Sequence, residues 1–164
     1  MDAIKADVLN ANDIRDGYVR AFCWRGSEMM AISAQQTTTH VAIAAWEWAS
    51  YFDPETKMKG ITLGIAKWRR PAPESAPVHA KAAGLYMICT LSKHEAEKDG
   101  YQDALMLDYR GYVAEATGAN VFFIDADGVI HTPIADCFLN GITRQTVIGM
   151  AQSMQIRVVE RHII

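Results

Sequence analysis

The chain has 164 residues, 50% of them hydrophobic and 21% charged, with a formal net charge of −3. Such a composition can bury a core, as soluble globular proteins do, and its charge balance offers no basic field for nucleic acid. No apolar run reaches the length of a membrane-spanning helix, because Glu47, Asp53 and Glu55 interrupt the longest candidate.

Asp2, Lys5 and Asp7 stand where a signal peptide would need an apolar core. Residues 2–11 mix aliphatic and charged side chains and read as the end of a helix, followed by polar turn material at 10–16. Residues 17–25 are rich in aromatic and β-branched side chains and predict a strand. Arg20 lies on it between Tyr18 and the Ala21-Phe22 pair; most strand arginines face solvent, but a planar fork among aromatics can also grip a carboxylate. The nearly continuous apolar run 40–46 predicts a strand buried on both faces. Trp46 and Trp48 straddle Glu47, and paired aromatics are usually core.

Residues 50–56 make the best linker, with Asp53-Pro54 breaking any regular element. Ile61, Leu63 and Ile65 alternate with small residues in a strand-like period of two. Lys67, Arg69 and Arg70 read as a solvated basic edge. A proline loop (Pro71, Pro73, Pro77) then leads to Lys81 among small and apolar neighbours. Most lysines are solvated; one desolvated in such a setting is kept for its amine, whose pKa falls toward a nucleophile's range.

A helix from about 83 to 98 should bury Leu85, Ile88, Cys89 and Ala96 and stop at Gly100. Short strands are expected at 103–108, 112–115, 120–124 and 129–130. Asp125 to Gly128 suits a hairpin turn rather than a calcium loop, because Phe123 and Ile134 fall where acids would be needed. The last helix is expected to start near Thr143 as N-cap and bury Val147, Ile148, Ala151 and Met154, before an apolar strand at 156–163. Cys23, Cys89 and Cys137 are odd in number and unpaired in spacing, which predicts reduced thiols and a cytoplasmic setting rather than disulfides or zinc. The five histidines are scattered and suggest no metal constellation.

Three segments carry chemistry together: Pro77-Val-His-Ala-Lys81-Ala-Ala-Gly-Leu-Tyr86, Gly111-Tyr-Val-Ala-Glu115-Ala-Thr-Gly-Ala-Asn120, and Leu139-Asn-Gly-Ile-Thr-Arg144. In this order they resemble the class IV aminotransferases, and within them the branched-chain amino-acid aminotransferases, over the whole chain. The resemblance implies a mixed α+β chain with the D-amino-acid aminotransferase type of pyridoxal-phosphate fold in two partial domains. These would be an N-terminal one at 1–51, a linker at 52–56 and a C-terminal cofactor-binding one at 57–164.

It further implies pyridoxal 5'-phosphate as cofactor, with Lys81 as the Schiff-base lysine. Tyr86 would be the partner of the ring's phenolic oxygen, and Glu115 the carboxylate at the pyridine nitrogen. Gly141, Ile142 and Thr143 would form the phosphate turn, where a helix N-terminus has free N–H donors. Tyr18, Arg20, Trp48 and Tyr51 match positions around the substrate, Tyr18 and Arg20 reaching it from a neighbouring subunit, so a homodimer or higher homo-oligomer is expected. The implied reaction is transamination between Leu, Ile or Val and 2-oxoglutarate, with Arg20 the cation for a second carboxylate.

Ala21, Leu85 and Ala119 depart from the family pattern, which has Pro, Asn and Glu there. Alternatives are a D-amino-acid aminotransferase or a 4-amino-4-deoxychorismate lyase of the same fold, or a catalytically silent fragment or binding module. The family also has a phosphate-binding arginine before the segment matching Met1 and a glycine-threonine turn beyond that matching Ile164. The chain is therefore read as an incomplete central portion that should not be a competent enzyme alone.

Overall fold

A computed structural model describes residues 2–48 and 53–164, which fall into two compact units, Met1–Glu55 and Thr56–Ile164. In the first unit, helix α1 (Asp2–Ala11) packs on an antiparallel pair formed by β1 (Tyr18–Arg25) and β2 (Thr39–Trp46). The register sets Tyr18 opposite Trp46 and Arg25 opposite Thr39. Strand β2 is not buried on both faces as its apolar run suggested: Val41 is exposed and residues 42–46 are half-buried. Three of those five residues are alanines, which satisfy an apolar pattern without requiring a layer on each side. Phe22, Trp24 and His40 stack in a row, with ring centroids 5.6 and 5.4 Å apart.

Helix α2 (Pro54–Lys59) begins at the proline expected only to break structure. At the first helical position a missing N–H costs nothing and the fixed φ suits the helix. In the second unit, β3 (Leu63–Ile65) runs parallel to β4 (Asp103–Leu107), and β5 (Val113–Ala116) pairs antiparallel with β4 across a bulge at Met106/Leu107. A 3-10 turn (Ala83–Leu85) and helix α3 (Tyr86–Lys98) form the crossover between β3 and β4. The second crossover has the same logic: β6 (Phe123–Ile124) pairs antiparallel with β7 (Ile130–Thr132), and helix α4 (Ile142–Ser153) returns the chain to β8 (Val158–Glu160), parallel to β7.

Several expectations change on contact with packing. The alternation at 61–66 is inverted, since Gly64 is buried while Leu63 and Ile65 are exposed, Ile65 at 65%. Gly64 lies under the Tyr101 ring, where an added Cβ would come within 2.9 Å of Cδ2, so the small residue takes the packed face. Helix α4 has Gly141 as N-cap with no side-chain cap bond, and Thr143 lies inside the helix. Its buried residues are Arg144 and Ala151, whereas Val147 and Met154 are exposed. The strand expected over 156–163 is only Val158–Glu160, and that over 120–124 only Phe123–Ile124.

Ala114, Cys137 and Phe138 form a tight apolar cluster with Ala135 packed against it. Beside it Asp108 is buried but satisfied: its carboxylate accepts from the Arg110 and Tyr112 backbone N–H groups at 2.8 and 3.0 Å, and Arg110 bridges it to Asp136. The hairpin at Asp125 forms as expected, with Gly128 at φ +77° and the Asp125 carboxylate accepting from Asp127 and Val129 N–H groups. Cys23 is exposed and Cys89 and Cys137 are buried, all as free thiols. Among the described residues no helix is long and apolar enough to cross a membrane.

Candidate active site

A cavity of about 610 Å³ opens in the second unit where the first crossover, the end of β5 and the head of α4 converge. Lys81, Tyr86, Glu115, Gly141, Ile142 and Thr143 all line it, and so do Arg70, Cys89, Asn120 and Arg144. Lys81 and Tyr86 are joined by the 3-10 turn and the start of α3. The Lys81 ammonium donates to the Tyr86 hydroxyl at 2.8 Å. Lys81 is exposed, so the small, apolar neighbours in its sequence do not enclose it.

Glu115 sits on β5 between two buried alanines, with its own side chain 12% exposed. Burial pushes its carboxyl up to about 7, against the opposing pull of Arg70 and Lys81. Arg70, 3% exposed, holds Nε 3.3 Å from Glu115 Oε1, but the N–H is not aligned for a hydrogen bond and Nε has no bonded partner. The rest of that guanidinium donates to Leu85 O and Cys89 Sγ, each at 3.4 Å. Arg70 is thus no solvated edge. A bridge to Asp108 carries its backbone beside the sheet and turns the side chain inward.

A raised carboxyl pKa has a defined sign in stability. Between about pH 4.5 and 7 the unfolded chain ionises Glu115 while the folded apoprotein keeps it protonated, so stability falls as pH rises through that window. The loss levels off above the folded value and amounts to about 1–3 kcal/mol. Glu115→Gln should remove this part of the slope. Urea unfolding of apoprotein at pH 5 and pH 8 checks it, and identical slopes for parent and variant would contradict it.

At the other end of the cavity, Arg144 fixes the turn that precedes α4. Its side chain, 2% exposed, donates to Asn140 Oδ1 at 2.8 Å, Pro133 O at 2.8 Å, Thr132 Oγ1 at 3.4 Å and Glu160 Oε2 at 2.6 Å. The first backbone bond of α4 runs from Gln145 N–H to Gly141 O at 3.0 Å, so the N–H groups of Ile142 and Thr143 belong to the first turn. Such donors suit a phosphate. Asn120 and Arg144 lie within the sequence motifs, but their partners are too distant in the chain to give them a role there. Arg70 has the sequence context of a solvated basic edge, and only its long-range bridge to Asp108 sets it apart.

In the first unit Tyr18, Arg20 and Trp48 are neighbours. The Tyr18 ring lies 5.5 Å from that of Trp48 and 5.0 Å from that of Trp46, and the Arg20 guanidinium lies 5.4 Å from the Tyr18 ring centre. Tyr51 lies outside the described residues.

The family model described as amino-transferase class IV matches residues 1–164. A probable branched-chain-amino-acid aminotransferase from Rickettsia conorii is 43% identical over 156 residues, covering 95% of this chain and 52% of that protein. The branched-chain-amino-acid aminotransferase of Pseudomonas aeruginosa is 38% identical over 94% of this chain and 50% of its own length. A crystal structure of the T.th. branched-chain amino acid aminotransferase with pyridoxamine 5'-phosphate superposes with a TM-score of 0.91 at 35% identity, over 97% of this chain and 52% of that one. The chain spans about half the length of the curated relatives it matches. With its mixed α and β fold and a family match from end to end, the chain belongs to the class IV amino-transferases.

Proposed function

We propose that the chain contributes the cofactor-holding part of a pyridoxal-phosphate aminotransferase that exchanges amino groups between branched-chain L-amino acids and 2-oxoglutarate. One observation carries this reading: an amine, a phenol, a buried carboxyl and a helix N-terminus line a single cavity. The names of the relatives support the branched-chain assignment.

The donor set fits the cofactor. Glu115 is buried, receives no aligned bond from Arg70, and has acceptor capacity left for a ring N–H. Bound there, pyridoxal phosphate would supply an aldehyde able to exchange amino groups and a ring that draws electrons from the substrate's alpha carbon. Lys81 would hold the cofactor through its amine and would serve as the base that moves the proton at the substrate's alpha carbon. Tyr86, already paired with Lys81, orients the amine and hydrogen-bonds the ring's phenolic oxygen. Glu115 keeps the ring nitrogen protonated. Gly141, Ile142 and Thr143 hold the phosphate through backbone N–H groups and the Thr143 hydroxyl. Tyr18, Trp48 and Tyr51 form apolar substrate walls and Arg20 meets a second carboxylate, within a homo-oligomer.

The expected result is that borohydride reduction of the cofactor-loaded full-length enzyme, followed by peptide mapping, places the pyridoxyl mass on Lys81, and that this enzyme accepts L-leucine but not D-alanine. A label on Lys67 or Lys93 would overturn the assignment of the amine. Turnover of D-alanine in place of L-leucine would overturn the substrate class.

A further inference from the structure

Asn120 makes three contacts that link the two ends of the cavity. The chain reverses after β5 through a turn closed by Ala116 N–H donating to Ala119 O at 2.8 Å, and this brings Asn120 back alongside Glu115. From there its Nδ2 group donates to Glu115 Oε2 at 3.3 Å and to Leu139 O at 3.0 Å. Its Oδ1 accepts from Gly141 N–H at 3.2 Å. These partners fix the amide's orientation, since a flipped amide would set its oxygen against a carbonyl and a carboxyl oxygen and its NH₂ against an N–H donor.

The fit to the turn is close. A Cβ on Gly141 would lie 2.4 Å from Asn120 Oδ1, with Asn120 Cγ at 3.6 Å and Arg144 Cβ at 3.9 Å in ordinary contact. The backbone at Gly141, φ −60° and ψ 146°, is open to any residue. The crowding at this position therefore comes from the Asn120 amide and not from backbone geometry.

We propose that Asn120 is a positioning residue that ties the Glu115 carboxyl to the turn at 139–141, so that the ring end and the phosphate end of the site hold one fixed spacing. This rests on the proposed function for its meaning, but the linkage itself is a property of the apoprotein. Losing the Nδ2 donor removes one bond that favours the charged carboxylate, so the Glu115 midpoint should rise from about 7. The other charged or titratable groups facing Glu115 are Arg70, Lys81 and Cys89, and none of them is altered in the test.

The test is a double-mutant cycle on apoprotein between Gly141→Ala and Asn120→Ala, reading the Glu115 midpoint by carboxyl NMR titration with Glu115→Gln as the assignment control. Gly141→Ala pushes the amide aside and should raise the midpoint by about half a unit or more, as Asn120→Ala does, while adding nothing in the Asn120→Ala background. No shift from Gly141→Ala, or the same shift with and without Asn120, overturns the proposal. Gly141→Ser, with the same Cβ, repeats the measurement should Gly141→Ala not fold. Pyridoxal phosphate uptake by the full-length enzyme, followed by visible absorbance, separates the two readings. Absent uptake with the cycle intact sinks the function, whereas uptake without coupling sinks the role of Asn120.

Discussion

On the proposed function, Glu115→Gln in the full-length enzyme should lower transamination of L-leucine with 2-oxoglutarate by about a hundred- to ten-thousandfold, or about 3–5 kcal/mol in the barrier. The two side chains have the same shape, so packing between Ala114 and Ala116 is kept. What changes is charge, since a neutral amide cannot stabilise a proton on the ring nitrogen. Without that proton the electron sink would fail, while the donors proposed for the phosphate at Ile142 and Thr143 are untouched. Retention of cofactor should therefore fall far less than kcat, and labelling of Lys81 by borohydride should persist. Steady-state kinetics and an equilibrium dialysis measurement read the two effects separately. A variant that turned over within about threefold of the parent would remove Glu115 from this role.

The second large effect is on stability. Arg144→Met should cost about 3–4 kcal/mol, because it deletes the donors that satisfy Pro133 O, Asn140 and Glu160 around a side chain that is 2% exposed. The thioether fills much of the volume but bonds none of them. Arg144→Lys recovers charge without the planar fork that reaches three directions, so it should rescue only part of the loss. Urea unfolding gives the stability directly, and a loss below about 1 kcal/mol for Arg144→Met would show that the turn at 139–143 is held by other contacts. Because that turn carries the proposed phosphate donors, affinity for pyridoxal phosphate should drop more than affinity for pyridoxal.

Element order and type were largely legible, because strands β1, β4 and β5 and helices α1, α3 and α4 each carry a local signature of period and punctuation. Faces were less legible. At β3 the aliphatic residues point away from the packed side because Tyr101, much later in the chain, occupies the space over Gly64. On α4, burial goes to Arg144, a residue type that periodicity assigns to solvent, since four acceptors, two of them on β7 and β8, converge on it. Arg70 shows the same effect at the site: three basic residues within four positions look like a solvated edge, and only the strand bridge to Asp108 turns one of them inward. Asn120 is similar. Its identity is visible in the motif, but its three partners lie 5, 19 and 21 residues away and exist only once the chain has folded.

The two β–α–β crossovers also govern when the cavity comes into being. Lys81 rides on the link between β3 and β4, Glu115 on the strand that follows, and Thr143 at the head of the link between β7 and β8. Parallel pairs close only after a long loop has been brought round, so they are slow, non-local steps. No partial structure holding one crossover can assemble the whole cavity, so uptake of the proposed cofactor is expected late on the folding route. Ligand present at about a hundred times its dissociation constant would then add about 2.7 kcal/mol to the finished state alone, acting as a clasp on both crossovers at once.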